Sequence, residues 1–182
     1  MSVQPREAKV FAGLLVSMTI GAMVLMALGD NSPSPGESFC LSNYYRLAPI
    51  EKVITSRAVQ STNRWNRIEI RYSNTKAGNI EQLALFNGLT NPEDINCHFV
   101  ICNGLGAPDG QIQPTERWQK QWSSVPDRAG DGGDRTIRIC VIADGIDNLP
   151  TDFQTKRGDA LVEGLCRKFN IQPVAIHYPS GW

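Results

Sequence analysis

The chain carries no net charge: 18 lysines and arginines against 18 acids in 182 residues, with no basic cluster. That balance removes support for a nucleic-acid-binding surface. The five cysteines form no Cys-x-x-Cys pair, which excludes the usual structural zinc knuckle. Cys97 and Cys102, read as lying in one strand roughly 16 Å apart, cannot bridge each other. Cys102, Cys140 and Cys166 read as small core residues. There is no internal repeat and no phosphate loop. The length is enough for one domain with a real core plus an N-terminal extension.

One long apolar run is present. Val10 to Leu28 contains no charge and follows Arg6 and Lys9. It is long enough to span a bilayer as a helix, and its positive flank places the N-terminus in the cytoplasm and the rest outside. The rival reading is a cleaved secretion signal, with small residues at Ala27-Leu28-Gly29. Either way the domain is exported, and in the first case it sits on the outer side of the cytoplasmic membrane. Exported domains can form disulfides. Residues 1–29 are therefore an anchor or signal, 30–62 a linker and lead-in, and 63–182 the domain. Asn31 to Ser38 (Asn-Ser-Pro-Ser-Pro-Gly-Glu-Ser) has the composition of a flexible tether.

Trp65 to Asp109 organises the rest. Ile68, Ile70 and Tyr72 alternate with Arg67, Glu69 and Arg71, the period of a half-buried strand. Gly78 to Leu89 carries Ile80, Leu83, Ala84 and Phe86 on one helical face and ends near Gly88. Cys97 to Cys102 is an apolar run closed by Asn-Gly, the pattern of a buried strand. Strand, helix and strand at this spacing predict a β-α-β unit with its chemistry near the strand ends. Beyond it, 111–113 reads as a return strand and 117–122 as a single turn or an exposed aromatic segment. Ile137 to Ala143 reads as a second apolar strand. Thr151 and Gln154 make a capping box, followed by Leu161, Val162, Leu165, Cys166 and Phe169 at helical spacing. Residues 171–176 read as a last strand. The whole is an α/β domain: a mixed central β-sheet flanked by helices.

Four stretches in this order resemble the zinc-dependent N-acetylmuramoyl-L-alanine amidases and the related peptidoglycan recognition proteins. They are Trp65 to Ser73, Cys-His-Phe-Val-Ile with Asn-Gly and Asp-Gly behind it (97–110), Ile137 to Asp144, and Pro-Thr-Asp-Phe-Gln with its long helix. The resemblance implies a zinc held by two histidines and a cysteine or aspartate, polarising the lactyl amide and activating a water. The residues here depart from that set. The first histidine position is Arg71, and a guanidinium neither gives up its proton nor tolerates a cation beside it. The tyrosine often found before His-Phe is Cys97. His177 stands near the second histidine, although another register puts Pro179 there, and the sequence stops at Trp182 before a third-ligand segment. His98 holds a position that is not metal-binding and reads as structural.

The resemblance, with these departures, implies an amidase-like domain without a metal, a cofactor or a catalytic residue, and the apolar run Val10–Leu28 implies that it is tethered to the membrane. It would retain at most recognition of peptidoglycan or muropeptides, through Arg71, Glu69, Cys97 and Trp118. Glu69 beside Arg71 could equally be a local ion pair, and Trp118 could simply cover the sheet edge. The alternatives are an active amidase with an unconventional site built on Cys97, His98 or His177, and a structural envelope protein with a vestigial groove.

Overall fold

The computed structural model describes residues 10, 14–20, 23, 47–125, 133–144 and 147–182. The chain divides into two units, Met1–Ser38 and Phe39–Trp182. In the first, residues 14–20 are helical, and Leu14, Leu15, Val16, Met18 and Ile20 expose their side chains. No helix among the described residues is long and apolar enough to cross a membrane. Most of the expected span Val10–Leu28, and the tether after it, lie outside the described residues.

The second unit is built on a five-stranded sheet. Its strands are β1 (Arg67–Tyr72), β2 (Phe99–Ile101), β3 (Ile112–Pro114), β4 (Thr136–Val141) and β5 (Ile176–His177), in the spatial order β3-β2-β4-β1-β5. Only β3 runs antiparallel to its neighbour; β1, β2, β4 and β5 are parallel. The sheet is therefore mixed. The expected β-α-β unit is present, but β1 and β2 do not touch, because β4 fills the place between them.

Among the described residues four helices accompany the sheet: α1 (Ile50–Val53), α2 (Ile80–Phe86), α3 (Glu116–Gln119) and α4 (Asp152–Phe169). The alternation in β1 works as expected. Ile68 and Ile70 are buried against Leu161, Leu165 and Phe169 of α4, with Phe99, Ile101, Ile137 and Ile139 beside them. The opposite face carries a second, smaller core in which Ala77, Leu83 and Ala84 meet Val100, Cys140 and Ile142. Helices thus cover both faces, which is why β4 is buried along its whole length.

Helix α4 starts where its capping box predicts. The Thr151 hydroxyl accepts from Gln154 N–H at 3.0 Å, and the Gln154 side chain accepts from Thr151 N–H at 3.0 Å. It ends at Asn170, whose φ of 54° is the left-handed turn that stops a helix.

Three expectations need correction. Phe86 is expected on the apolar face of α2, yet it is exposed; the side of that short helix turned to the core carries Leu83 and Ala84, with Ile80 partly buried beside them. Residues 171–176 do not form a strand: Pro173 opens a tight helical turn, leaving only Ile176 and His177 to pair with β1. Part of the lead-in belongs to the domain itself. Ile50, Val53 and Ile54 are in the main core, and Gly164 of α4 lets Ile50 approach so closely that a Cβ there would lie 2.8 Å from Ile50 Cγ2.

Candidate functional site

The odd-numbered side chains of β1 lie on the sheet face turned away from the main core. Strand register lines them up with neighbours. Glu69 pairs with Arg138 on one side and His177 on the other, while Arg71 pairs with Cys140, and Cys140 with Val100.

The result is a charged row, Arg71–Glu69–Arg138. Arg71 Nη2 meets Glu69 Oε1 at 2.8 Å, and Arg138 Nε meets Glu69 Oε2 at 3.1 Å. The Arg138 side chain is only 1% exposed, whereas those of Glu69 and Arg71 are 31% and 33% exposed. Arg138 also donates to the Val125 carbonyl. One carboxylate thus serves two guanidinium groups, one buried and one at the surface. A third guanidinium, Arg117, ties the neighbouring loop by donating to Ile95 O at 3.2 Å and to Ser123 O.

Cys97, just before β2, is buried in the same smaller core as Cys140. The neighbouring Cys140 thiol, with burial second, holds the Cys97 pKa well above the usual thiol range, against the pull of Arg117 and Arg71. A thiol so held is a poor nucleophile. His98 turns the other way, into the main core. Its Nδ1 accepts from Arg138 N–H at 2.9 Å and its Nε2–H donates to Trp122 O at 2.9 Å, which fixes the neutral tautomer. Burial is the main reason its pKa falls to about 3. His98 is therefore a structural histidine.

Trp118 must be moved from the site. It is wholly buried on the opposite face of the sheet, 4.5 Å from Phe99 and 6.0 Å from Phe169 between ring centroids. The cause is local: Thr115 caps the single turn α3 and aims Trp118 inward. The neighbouring Trp122 is the exposed aromatic, with Lys120 Nζ 4.5 Å from its ring centre. His177 is exposed at the end of β5, in an open depression also lined by Asn66, Arg67, Asp134 and Arg135.

The structure therefore brings together Arg71, Glu69 and Cys97, and adds two residues that sequence reasoning missed. Arg138 was hidden in an apolar run, where a lone charge in the middle of Ile-Arg-Ile was the available signal. Cys140 had no signal at all, because its neighbour Cys97 is distant in sequence.

These residues do not fit a zinc ion. Arg71 presents a guanidinium, both oxygens of Glu69 are taken by arginines, and the nearby Cys97 thiol is held protonated. Among the described residues no group of three or more His, Cys, Asp or Glu side chains could hold a metal.

No family model matches the chain, and no curated protein matches it. Several solved structures resemble it. The endolysine N-acetylmuramoyl-L-alanine amidase LysCS from Clostridium intestinale URNW is 22% identical with a TM-score of 0.44, over 68% of this chain and 74% of that one. The N-acetylmuramoyl-L-alanine amidase LysC from the same organism is 18% identical with a TM-score of 0.47, over 80% and 82%. PGRP-Hd from Alvinella pompejana is 17% identical with a TM-score of 0.44, over 73% and 85%. These are proteins the chain is similar to, and nothing about its own activity follows from them.

Proposed function

We propose that Phe39–Trp182 is an amidase-like domain that recognises muropeptides without hydrolysing them, held outside the cytoplasmic membrane by Val10–Leu28. The observation that carries this reading is the shared carboxylate. Glu69 meets Arg71 with one carboxylate oxygen and Arg138 with the other, which holds the Arg71 guanidinium at the surface near the end of β1. In the resemblance drawn above, zinc supplies positive charge at that point. A guanidinium there can grip a stem-peptide carboxylate through two parallel hydrogen bonds. It cannot lower the pKa of a water as a metal does. Recognition then outlives hydrolysis. The rival of an active site built on Cys97 or His98 is disfavoured by chemistry, since the Cys97 thiol is held protonated and both ring nitrogens of buried His98 are taken by backbone groups.

Calorimetry of soluble muropeptides against wild type, Arg71→Ala and Glu69→Gln tests the reading. Arg71→Ala loses roughly 10- to 100-fold in affinity, the scale of a hydrogen bond to a charged group, and Glu69→Gln binds as well or better. Adding zinc restores no hydrolysis. Wild type that binds no muropeptide, or Arg71→Ala that binds equally, overturns recognition; zinc-dependent amide cleavage overturns the inactive reading. The tether rests on the charge-free run and its Arg6/Lys9 flank. Protease added to spheroplasts then digests the domain, and protection until lysis refutes the orientation.

A further inference from the structure

We infer that the open depression where β1 and β4 begin is a binding site for a phosphate monoester, held between the guanidinium groups of Arg67 and Arg135. The depression has a volume of about 480 Å³ and is lined by Asn66, Arg67, Asp134, Arg135, Ala175 and His177. That is the size of a small-molecule site rather than of a single ion. It is separate from the Arg71 cluster, because Arg67 opens β1 and Arg71 lies near its far end, a strand distance of about 13 Å. Two observations point to an anion. The charges are uncommitted: among the described residues neither Arg67 nor Arg135 is in an ion pair, while Glu69, the next acid along β1, is already bound to Arg71 and Arg138. Asp134 is the one acid among the lining residues, so the two guanidinium groups outnumber it. The backbone that carries them is also fixed before a ligand arrives. Arg135 Nη2 donates to Asn63 O at 2.7 Å, Arg64 Nη1 donates to Asp134 O at 2.7 Å, and Asn66 N–H donates to Arg135 O at 3.0 Å. Arg64 is itself held 4.4 Å over the Trp65 ring. These bonds lock residues 63–67 to 134–135, which leaves little ordering for a ligand to impose.

A terminal phosphate fits this set better than a carboxylate. Each guanidinium can present two parallel N–H groups to a pair of oxygens, and a phosphate monoester carries three free oxygens where a carboxylate carries two. His177, exposed in the same depression, adds a ring N–H donor in its neutral form. A phosphodiester, the chemistry of a lipid headgroup or a polymer backbone, offers only two free oxygens and a single charge. The ligand class is therefore a small phosphorylated molecule whose polar body occupies the open part of the depression. No basic run marks the site in the sequence, because residues 66–67, 134–135 and 177 come from three separate stretches of the chain.

The test titrates glycerol 3-phosphate into the full-length chain at constant ionic strength and reads the guanidinium N–H resonances of Arg67 and Arg135. Glycerol is the uncharged control, acetate the carboxylate, and glycerophosphoglycerol the diester. The expected result is saturable binding of the monoester, several-fold weaker binding of the diester and of acetate, and none of glycerol. Arg67→Gln and Arg135→Gln each weaken monoester binding by at least about 10-fold, the scale of a hydrogen bond to a charged group. Lys52→Gln, an exposed charge on α1, leaves it unchanged. Asp134→Asn, which removes the opposing acid, binds more tightly. Wild type that does not saturate, Arg67→Gln that binds as tightly as wild type, or an equal loss in Lys52→Gln overturns the site. Diester binding equal to or tighter than that of the monoester overturns the ligand class. The ranking of the four ligands is read on the wild-type chain, so it does not depend on any variant folding. No muropeptide is present, so the outcome is independent of the Arg71 reading.

Discussion

Acid should weaken this domain through one residue, His98. In the native state its imidazole is fully buried, edge-on to Trp65 with centroids 4.8 Å apart, and both ring nitrogens are satisfied in the neutral form. Protonation at Nδ1 would set an N–H against the Arg138 N–H that now donates to it. The folded pKa is about 3 against an ordinary 6.5, with burial as the main cause. The sign follows from proton uptake. Between those two values the unfolded chain binds a proton that the native state does not, so stability falls as pH falls. The contribution is complete above pH 6.5 and is lost steadily toward pH 3, at about 1.4 kcal/mol per pH unit for a group this deeply buried. From pH 6.5 to 4 that amounts to about 3 kcal/mol, a large share of the stability of an ordinary domain. Urea unfolding of wild type and His98→Asn at a series of pH values measures it. Asparagine can still accept from Arg138 N–H but has no proton to gain. Whatever the substitution costs in packing is constant with pH, so only the slope is compared. The wild-type midpoint should fall more steeply between pH 6.5 and 4 than that of the variant. Equal slopes, or a His98 proton resonance titrating near 6.5 in the folded protein, would refute the reasoning.

Two further predictions concern α4. A Cβ at Gly158 would lie 2.8 Å from the Trp182 ring and 3.3 Å from Ile101 Cδ1, so Gly158→Ala should displace Trp182 and cost about 1–3 kcal/mol by overpacking; a variant with unchanged Tm contradicts that packing. Thr151→Ala removes the helix cap together with the hydrogen bonds, at 2.9 and 3.0 Å, that the Thr151 hydroxyl shares with the Asp109 carboxylate. It should cost about 1–2 kcal/mol in chemical denaturation, and Thr151→Ser should recover most of it.

What could be read from the sequence was what depends on local pattern. The alternation of residues 67–72 revealed β1 because one of its faces is buried, and Thr151 with Gln154 revealed the start of α4 because a capping box is a local motif. Long-range facts were illegible. A one-turn helix such as α3 has too few residues to show a face, so nothing in 117–122 said whether Trp118 or Trp122 would be inside. Arg138 broke no strand pattern, since β4 is apolar on both sides of it and its partner Glu69 lies on another strand. That Cys97 and Cys140 share one core depends on β4 inserting between β1 and β2, an order that local periodicity does not determine. The same insertion places Arg138 against Glu69, so the site and the missed neighbour share one cause.

That cause also decides how the cluster can work. A guanidinium buried as deeply as Arg138 must be paired, and Glu69 pairs it through Oε2. Its other oxygen reaches the surface and meets Arg71. A ligand carboxylate can take the place of Oε1 at Arg71 while Oε2 keeps Arg138 paired, so exchange at the surface does not expose the buried charge. The buried arginine thus holds the carboxylate in place, and the surface arginine meets it through the one oxygen that a ligand carboxylate can replace.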